Sequence, residues 1–166
     1  DLAVLNRYRA RGTNSYRRLF DAQLCIVGRT PVLQAAVAPA AAVLPSGAGL
    51  TDLARLPLVL PVPPNAVRNL LDEVVQRQGL RLDILLEGGS SAIIKRMLRD
   101  HACASVLPRH AVAEELACGE LVAVPLTERV FRQHVVLATS SQRPFTLAGR
   151  SVARAISAIA ARVLAA

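Results

Sequence analysis

Residues Leu86 to Pro108, LEGGSSAIIKRMLRDHACASVLP, decide the fold class of this chain. A strand over Leu82 to Leu86 runs into a turn at Gly88-Gly89. Ser90 or Ser91 then starts a helix, and a second strand follows from Cys103 to Leu107. Ile93, Ile94, Met97 and Leu98 fall on one helical stripe, and Lys95, Arg96, Arg99 and Asp100 fall on the other. The apolar stripe needs a sheet to cover, so the stretch reads as a βαβ unit. Two glycines and two hydroxyl residues at a helix N-terminus leave free N–H groups and the positive end of a dipole beyond the strand. Open α/β sheets bind ligands at that edge. The plainer role for Ser90 or Ser91 is to cap the helix, since serine is favoured there in any protein.

The flanking segments repeat the alternation. Leu58 to Val62 is an apolar strand, followed by the turn PVPPNAVR, in which Asn65 is a good N-cap. Val67, Leu70, Leu71, Val74 and Val75 recur at helical spacing, and the helix closes at Gly79. Arg68 lies in its first turn, where a cation opposes the helix dipole unless an anion is near. After the central unit, Pro108 opens a short helix carrying Val112 and Leu116 and closing at Gly119. Strands follow at Leu121 to Leu126 and Phe131 to Thr139. A last helix over Val152 to Val163 is expected to turn Val152, Ile156, Ile159 and Val163 inward. Upstream, a short apolar strand leads to an arginine-rich loop holding Arg7, Arg9, Arg11, Arg17 and Arg18 with Tyr8 and Tyr16, then a strand at Gln23 to Val27. Pro31 to Gly49 reads as a helix-breaking connector, after which Thr51 caps a single turn. The class is α/β.

The 166 residues are 52% hydrophobic but only 3% aromatic and contain no Trp, so the core must be built from Ala, Val, Leu and Ile. That composition suits a parallel sheet flanked by helices. The formal charge of +8 comes almost wholly from arginine, Lys95 being the only lysine. It fits an anionic partner and an arginine-rich coding bias equally well. Cys25, Cys103 and Cys118 lack CxxC spacing and read as apolar fillers in a reducing compartment. The opening residues do not read as a signal peptide, and the apolar run Ala35 to Pro45 is too short for a bilayer. A soluble, cytoplasmic protein without membrane association is expected, and Asp1 to Leu5 already reads as a strand in progress within a longer chain. GGSS is not a GxSxG elbow, no His or Asp stands at triad spacing, and His101, Cys103, His110 and Cys118 match no zinc pattern. Neither an enzyme, a metal site nor a cofactor is expected.

The succession DLAVL, LCIVGRTPVL, LTDLARLPLVLPVPPNAVRNLLDEVVQRQGL, LEGGSSAIIKRMLRDHACASVLPRHAVAEELACGELVAVPL and VVLATSSQRP resembles the effector-binding domain of LysR-type transcriptional regulators. Within that family it is similar to the branch around the nitrogen assimilation control regulator. The resemblance implies a two-lobed fold like the type 2 periplasmic binding proteins. Lobe one would hold residues 1–48 and 128–166, and lobe two residues 49–127. It also implies that the βαβ portion opening lobe one is missing, as is the helix-turn-helix domain through which alone DNA would be bound. A small anionic effector would lie in the interlobe cleft of a homodimer or homotetramer. The family's ligand contacts would fall at Asn6, Pro64, Asn65, Arg68, Ser90, Ser91, Leu107 and Arg109. Where the family has Gly-x-Gly before the strand leading to Leu-Pro, this chain has His101 and Cys103. A solute-binding protein of a transporter would share the fold, and a signal peptide upstream would distinguish it.

Overall fold

The structure is a computed structural model that describes residues 2–7, 15–38, 43–139 and 146–165. The chain forms two compact units, one of residues 1–22 and 132–166 and one of residues 23–131. Gln23 to Ala48, which the resemblance assigns to lobe one, thus packs with the second unit. The reason is hydrogen bonding: Leu24–Gly28 pairs antiparallel with both Ala104–Pro108 and Val122–Pro125.

In the first unit β1 (Leu2–Arg7) pairs antiparallel with β7 (Arg132–Thr139), and β7 neighbours β2 (Ser15–Gly28). The second strand therefore begins at Ser15 rather than Gln23, and Arg17 and Arg18 are exposed strand residues rather than loop residues. Arg9, Arg11 and Tyr8 lie outside the described residues. The unit ends with helix α6 (Leu147–Ala165), whose phase differs from the expected one. Ala153 and Ala160 are buried, while Val152 and Ile159 are about half exposed. Ala153 and Ala160 are seven residues apart, two helical turns on one face, and small side chains let that face approach its neighbours closely. The bulkier stripe one position earlier is left outside.

The second unit carries a sheet in the order β6 (Val122–Pro125), β2, β5 (Ala104–Pro108), β3 (Pro57–Pro61), β4 (Asp83–Gly88). Strands β4 and β5 each run parallel to β3. Helix α3 (Ala66–Arg77) leads from β3 to β4, and α4 (Ser91–Asp100) leads back across β3 to β5. The reversal in direction puts two right-handed crossovers on opposite faces of the sheet. Side-chain alternation along β3 fits this: Val59 joins the cluster under Ile94 and Leu98 with Cys25, Val27, Cys103, Leu107, Val112 and Leu121. Leu58 and Leu60 point to the other face and are also fully buried. The sheet core is thus aliphatic, as the composition requires.

Three local expectations change. The segment read as a connector opens with a helix, α1 (Thr30–Val37), in whose first turn Pro31 stands, where a missing N–H costs nothing. Thr51 does not cap α2 (Leu50–Leu53), because Gly49 occupies the cap position; the Gly49 N–H donates to Asp52 Oδ2 at 2.9 Å and the Leu50 N–H to Glu128 Oε1 at 2.9 Å. Ile93, expected on the inward stripe of α4, is half exposed, since the helix rests on Ile94 and Leu98. Pro108 leads into a 3-10 turn (Arg109–Val112) before α5 (Ala113–Ala117). No helix among the described residues is long and apolar enough to cross a membrane.

Candidate functional site

The carboxyl ends of β3, β4 and β5 share one edge of the second unit because the three strands run parallel. Seven of the eight expected contact residues gather along this edge. Asn65 caps α3, its Oδ1 accepting from the N–H groups of Val67 at 2.9 Å and Arg68 at 3.4 Å. Ser90 caps α4, its Oγ accepting from the Ile93 N–H at 3.3 Å. Ser91 is the first residue of that helix and is exposed, as is Pro64, which follows Pro63 through a cis peptide bond. Two helix N-termini with positive dipole ends thus open onto one strand edge. Asn6 belongs to the other unit. Its backbone pairs with Val135 in the β1–β7 ladder, and its side chain lies outside the described residues.

Gly88 earns its place by packing. A Cβ there would stand 2.7 Å from Ile94 Cγ1, so glycine lets the strand end approach the first turn of α4. Gly89 meets nothing within 4 Å. A Ser90→Ala substitution is expected to lower unfolding free energy by about 1 kcal/mol through loss of the cap. Urea unfolding followed by circular dichroism checks this, and an unchanged midpoint would show that the hydroxyl does not cap.

Arg68 is buried, and the anion its helix position called for is supplied by the protein itself. Its Nε donates to both carboxylate oxygens of Asp72 at 2.9 Å. Its Nη1 donates to Glu87 Oε1 at 2.6 Å and to the Pro61 carbonyl at 3.3 Å. Burial alone would lower the guanidinium's pKa; the bonds and charges of Glu87 and Asp72 outweigh it and raise the pKa. The network ties α3 to the ends of β3 and β4. Sequence reading missed both carboxylates. The Arg68–Asp72 spacing of four was a usable signal, whereas Glu87 meets Arg68 only because β4 lies beside β3.

At the end of β5, Leu107 is buried in the core cluster, and Arg109 is exposed at the start of the 3-10 turn. Burial pushes the Cys25 thiol up to about 11, with the charge of Arg109 acting in the opposite direction. A thiol so held is a packing group rather than a nucleophile. His101 and Cys103 require no glycine: His101 is extended at φ −127°, Cys103 is fully buried, and no non-glycine residue among those described has a positive φ. Among the described residues no three or more His, Cys, Asp or Glu side chains cluster as metal ligands.

The family model for the LysR substrate binding domain matches residues 1–160. The chain belongs to this LysR domain family. It is 31% identical over 113 residues to the HTH-type transcriptional regulator BbuR of Bordetella bronchiseptica, a match covering 68% of this chain and 32% of that protein. The chain therefore spans about a third of that relative's length. Among solved structures, it is similar to the regulatory domain of CcmR from Synechocystis in complex with 2-PG. The TM-score is 0.77 at 19% identity, over 96% of this chain and 73% of that one. It is also similar to the effector-binding domain of QuiR in complex with shikimate, with a TM-score of 0.67 at 14% identity over 90% and 66% of the two chains. The fold is that of a LysR effector-binding domain, consistent with the two-lobed type 2 periplasmic-binding-protein architecture. The LysR domain is a ligand-sensing module of transcriptional regulation, and the relatives are regulators rather than enzymes.

Proposed function

We propose that this LysR domain binds a small organic anion at the carboxyl edge of β3, β4 and β5, in a cleft between two lobes. The observation that carries this reading is the convergence of the α3 and α4 N-termini on one strand edge, each capped by a short polar side chain. Such ends offer N–H donors and positive potential to a carboxylate or phosphate. The small molecules bound to CcmR and QuiR support a ligand of this size. Ser90 and Ser91 hold the anion's charged end, and Asn65, Pro64 and Arg109 line the approach. Leu107 supplies apolar wall. Arg68 contributes to the field of the site with its charge already shared by Asp72 and Glu87.

The ligand favours one arrangement of the lobes, and this changes the packing of a cytoplasmic homodimer or homotetramer that reads DNA through a helix-turn-helix domain. It acts only through a difference in affinity between the two arrangements. Within the family we place the chain near the nitrogen assimilation control regulator, on the five segments quoted above. Screening small carboxylates and phosphate esters by thermal shift tests the reading. A hit should weaken at least tenfold in Ser91→Ala and in Arg68→Ala, with Ser90→Ala corrected for its lost cap. A hit whose affinity survives all three substitutions sinks the site.

A further inference from the structure

The opposite end of the same sheet carries a second concentration of charge. Gly28 pairs with Ala104, and Ala104 with Leu58 at the start of β3. The end of β2 therefore lies about 10 Å along β3 from that strand's carboxyl end, at about 3.3 Å per strand residue. Here Arg29, Arg96, Arg99, Asp100 and Glu120 line an open pocket of about 560 Å³. Three arginines face two carboxylates, so the pocket keeps an excess positive charge. Both carboxylates are loosely committed: Arg96 meets Asp100 at 3.3 Å and Arg99 meets Glu120 at 3.7 Å, in exposed pairs of the kind that contribute little.

Arg29 differs from its neighbours. Its Nε is shut off from solvent and has no acceptor among the described residues. Buried donors in folded proteins are nearly always satisfied, so an orphaned one needs an explanation. Arg96 and Arg99 also suit the carbonyl end of α4, which would account for them without a ligand. That account does not extend to Arg29, which precedes α1 at its positive end. The buried Nε cannot itself meet a ligand arriving from solvent, but the Arg29 guanidinium has no ion pair among the described residues and lines the pocket beside two further guanidinium groups, an arrangement that matches the oxygens of a multivalent oxyanion.

We propose that this pocket is a second binding site for a small multivalent oxyanion, a phosphorylated compound or a polycarboxylate, with Arg29 as its anchor and Arg96 and Arg99 as its flanking cations. Binding there is independent of the Ser90 edge. The excess positive charge attracts an anion in proportion to the anion's charge, so affinity should rise with ligand charge and fall steeply with salt.

The test is calorimetric titration of the full chain with pyrophosphate and, separately, with citrate. The variants are Arg29→Gln, Arg99→Gln and, as a charge-matched control, the exposed Arg81→Gln. At least one probe should bind, with affinity reduced tenfold or more in Arg29→Gln and severalfold in Arg99→Gln, and unchanged in Arg81→Gln. Tighter binding of pyrophosphate than citrate identifies phosphate chemistry, and the reverse identifies carboxylate. Should Arg29→Gln unfold, the half-exposed Arg99→Gln decides alone. No measurable binding of either probe overturns the proposal. Equal losses in Arg81→Gln and the pocket variants also do so, because they would reduce the effect to general surface charge. A short DNA duplex binding with the same Arg29 dependence and far higher affinity would replace the small ligand by a nucleic-acid surface.

Discussion

Leu98→Ala is expected to lower the unfolding free energy by about 3 kcal/mol, the middle of the range for emptying a well-packed leucine site. Leu98 is fully buried, and with Ile94 it is what α4 rests on. The cavity opens among Cys25, Val27, Val59 and Cys103, which belong to two different strands and the end of a loop. Strand backbones held in a ladder cannot easily move in to fill it. Urea unfolding with an unchanged m-value would report the loss. A change under 1 kcal/mol would mean that α4 is not seated on the sheet as described, and the position of Ser90 would fall with it.

Lys95→Met should cost about 2 kcal/mol near neutral pH, and its cost should depend on pH with a definite sign. Lys95 Nζ lies 3.0 Å from Glu115 Oε1, and the Glu115 side chain is 8% exposed. Burial by itself would raise the Glu115 carboxyl. The bond from Lys95, a bond from its own backbone N–H and the charges of Lys95 and Arg99 outweigh it, so the folded-state value is lowered from 4.5. A lowered carboxyl stabilises the fold fully above about 4.5 and ceases to do so as pH falls through the folded value. Removing the ammonium leaves a buried carboxylate without its main partner, the situation that makes half-broken buried pairs costly. Burial then raises the carboxyl, and the linkage reverses: the penalty is greatest at neutral pH and shrinks as acid protonates Glu115. Midpoints measured from pH 7 to pH 4 should therefore converge between the two proteins. Parallel curves would show that the pair is not coupled to folding.

Much of the second unit was legible because its helices are strongly two-faced. Leu70, Leu71, Val74 and Val75 sit at helical spacing against a polar remainder, and all four are buried. Asn65 and Ser90 were readable as caps because side-chain capping is a local interaction. The last helix defeated the same method: with alanine at Ala153, Ala155, Ala158, Ala160 and Ala161, hydrophobicity no longer marks the buried side, and close approach chooses the smaller face. The role of Arg68 was half legible. Its conflict with the helix dipole pointed correctly to an anion, but the nearest anions are Asp72 and Glu87 of the chain itself. Arg29 carried no signal at all, since an orphaned donor is a property of packing rather than of pattern.

The way the first unit is stitched bears on how the polypeptide acquires its shape during synthesis. Its outer ladder joins Leu2–Arg7 to Arg132–Thr139, so it closes a loop that contains the whole second unit, whereas the second unit is one uninterrupted segment. Contacts between such distant positions incur the loop-closure entropy before they stabilise anything and form slowly. The contiguous unit can thus emerge from the ribosome and fold first, while the ladder between β1 and β7 closes only once β7 has been translated.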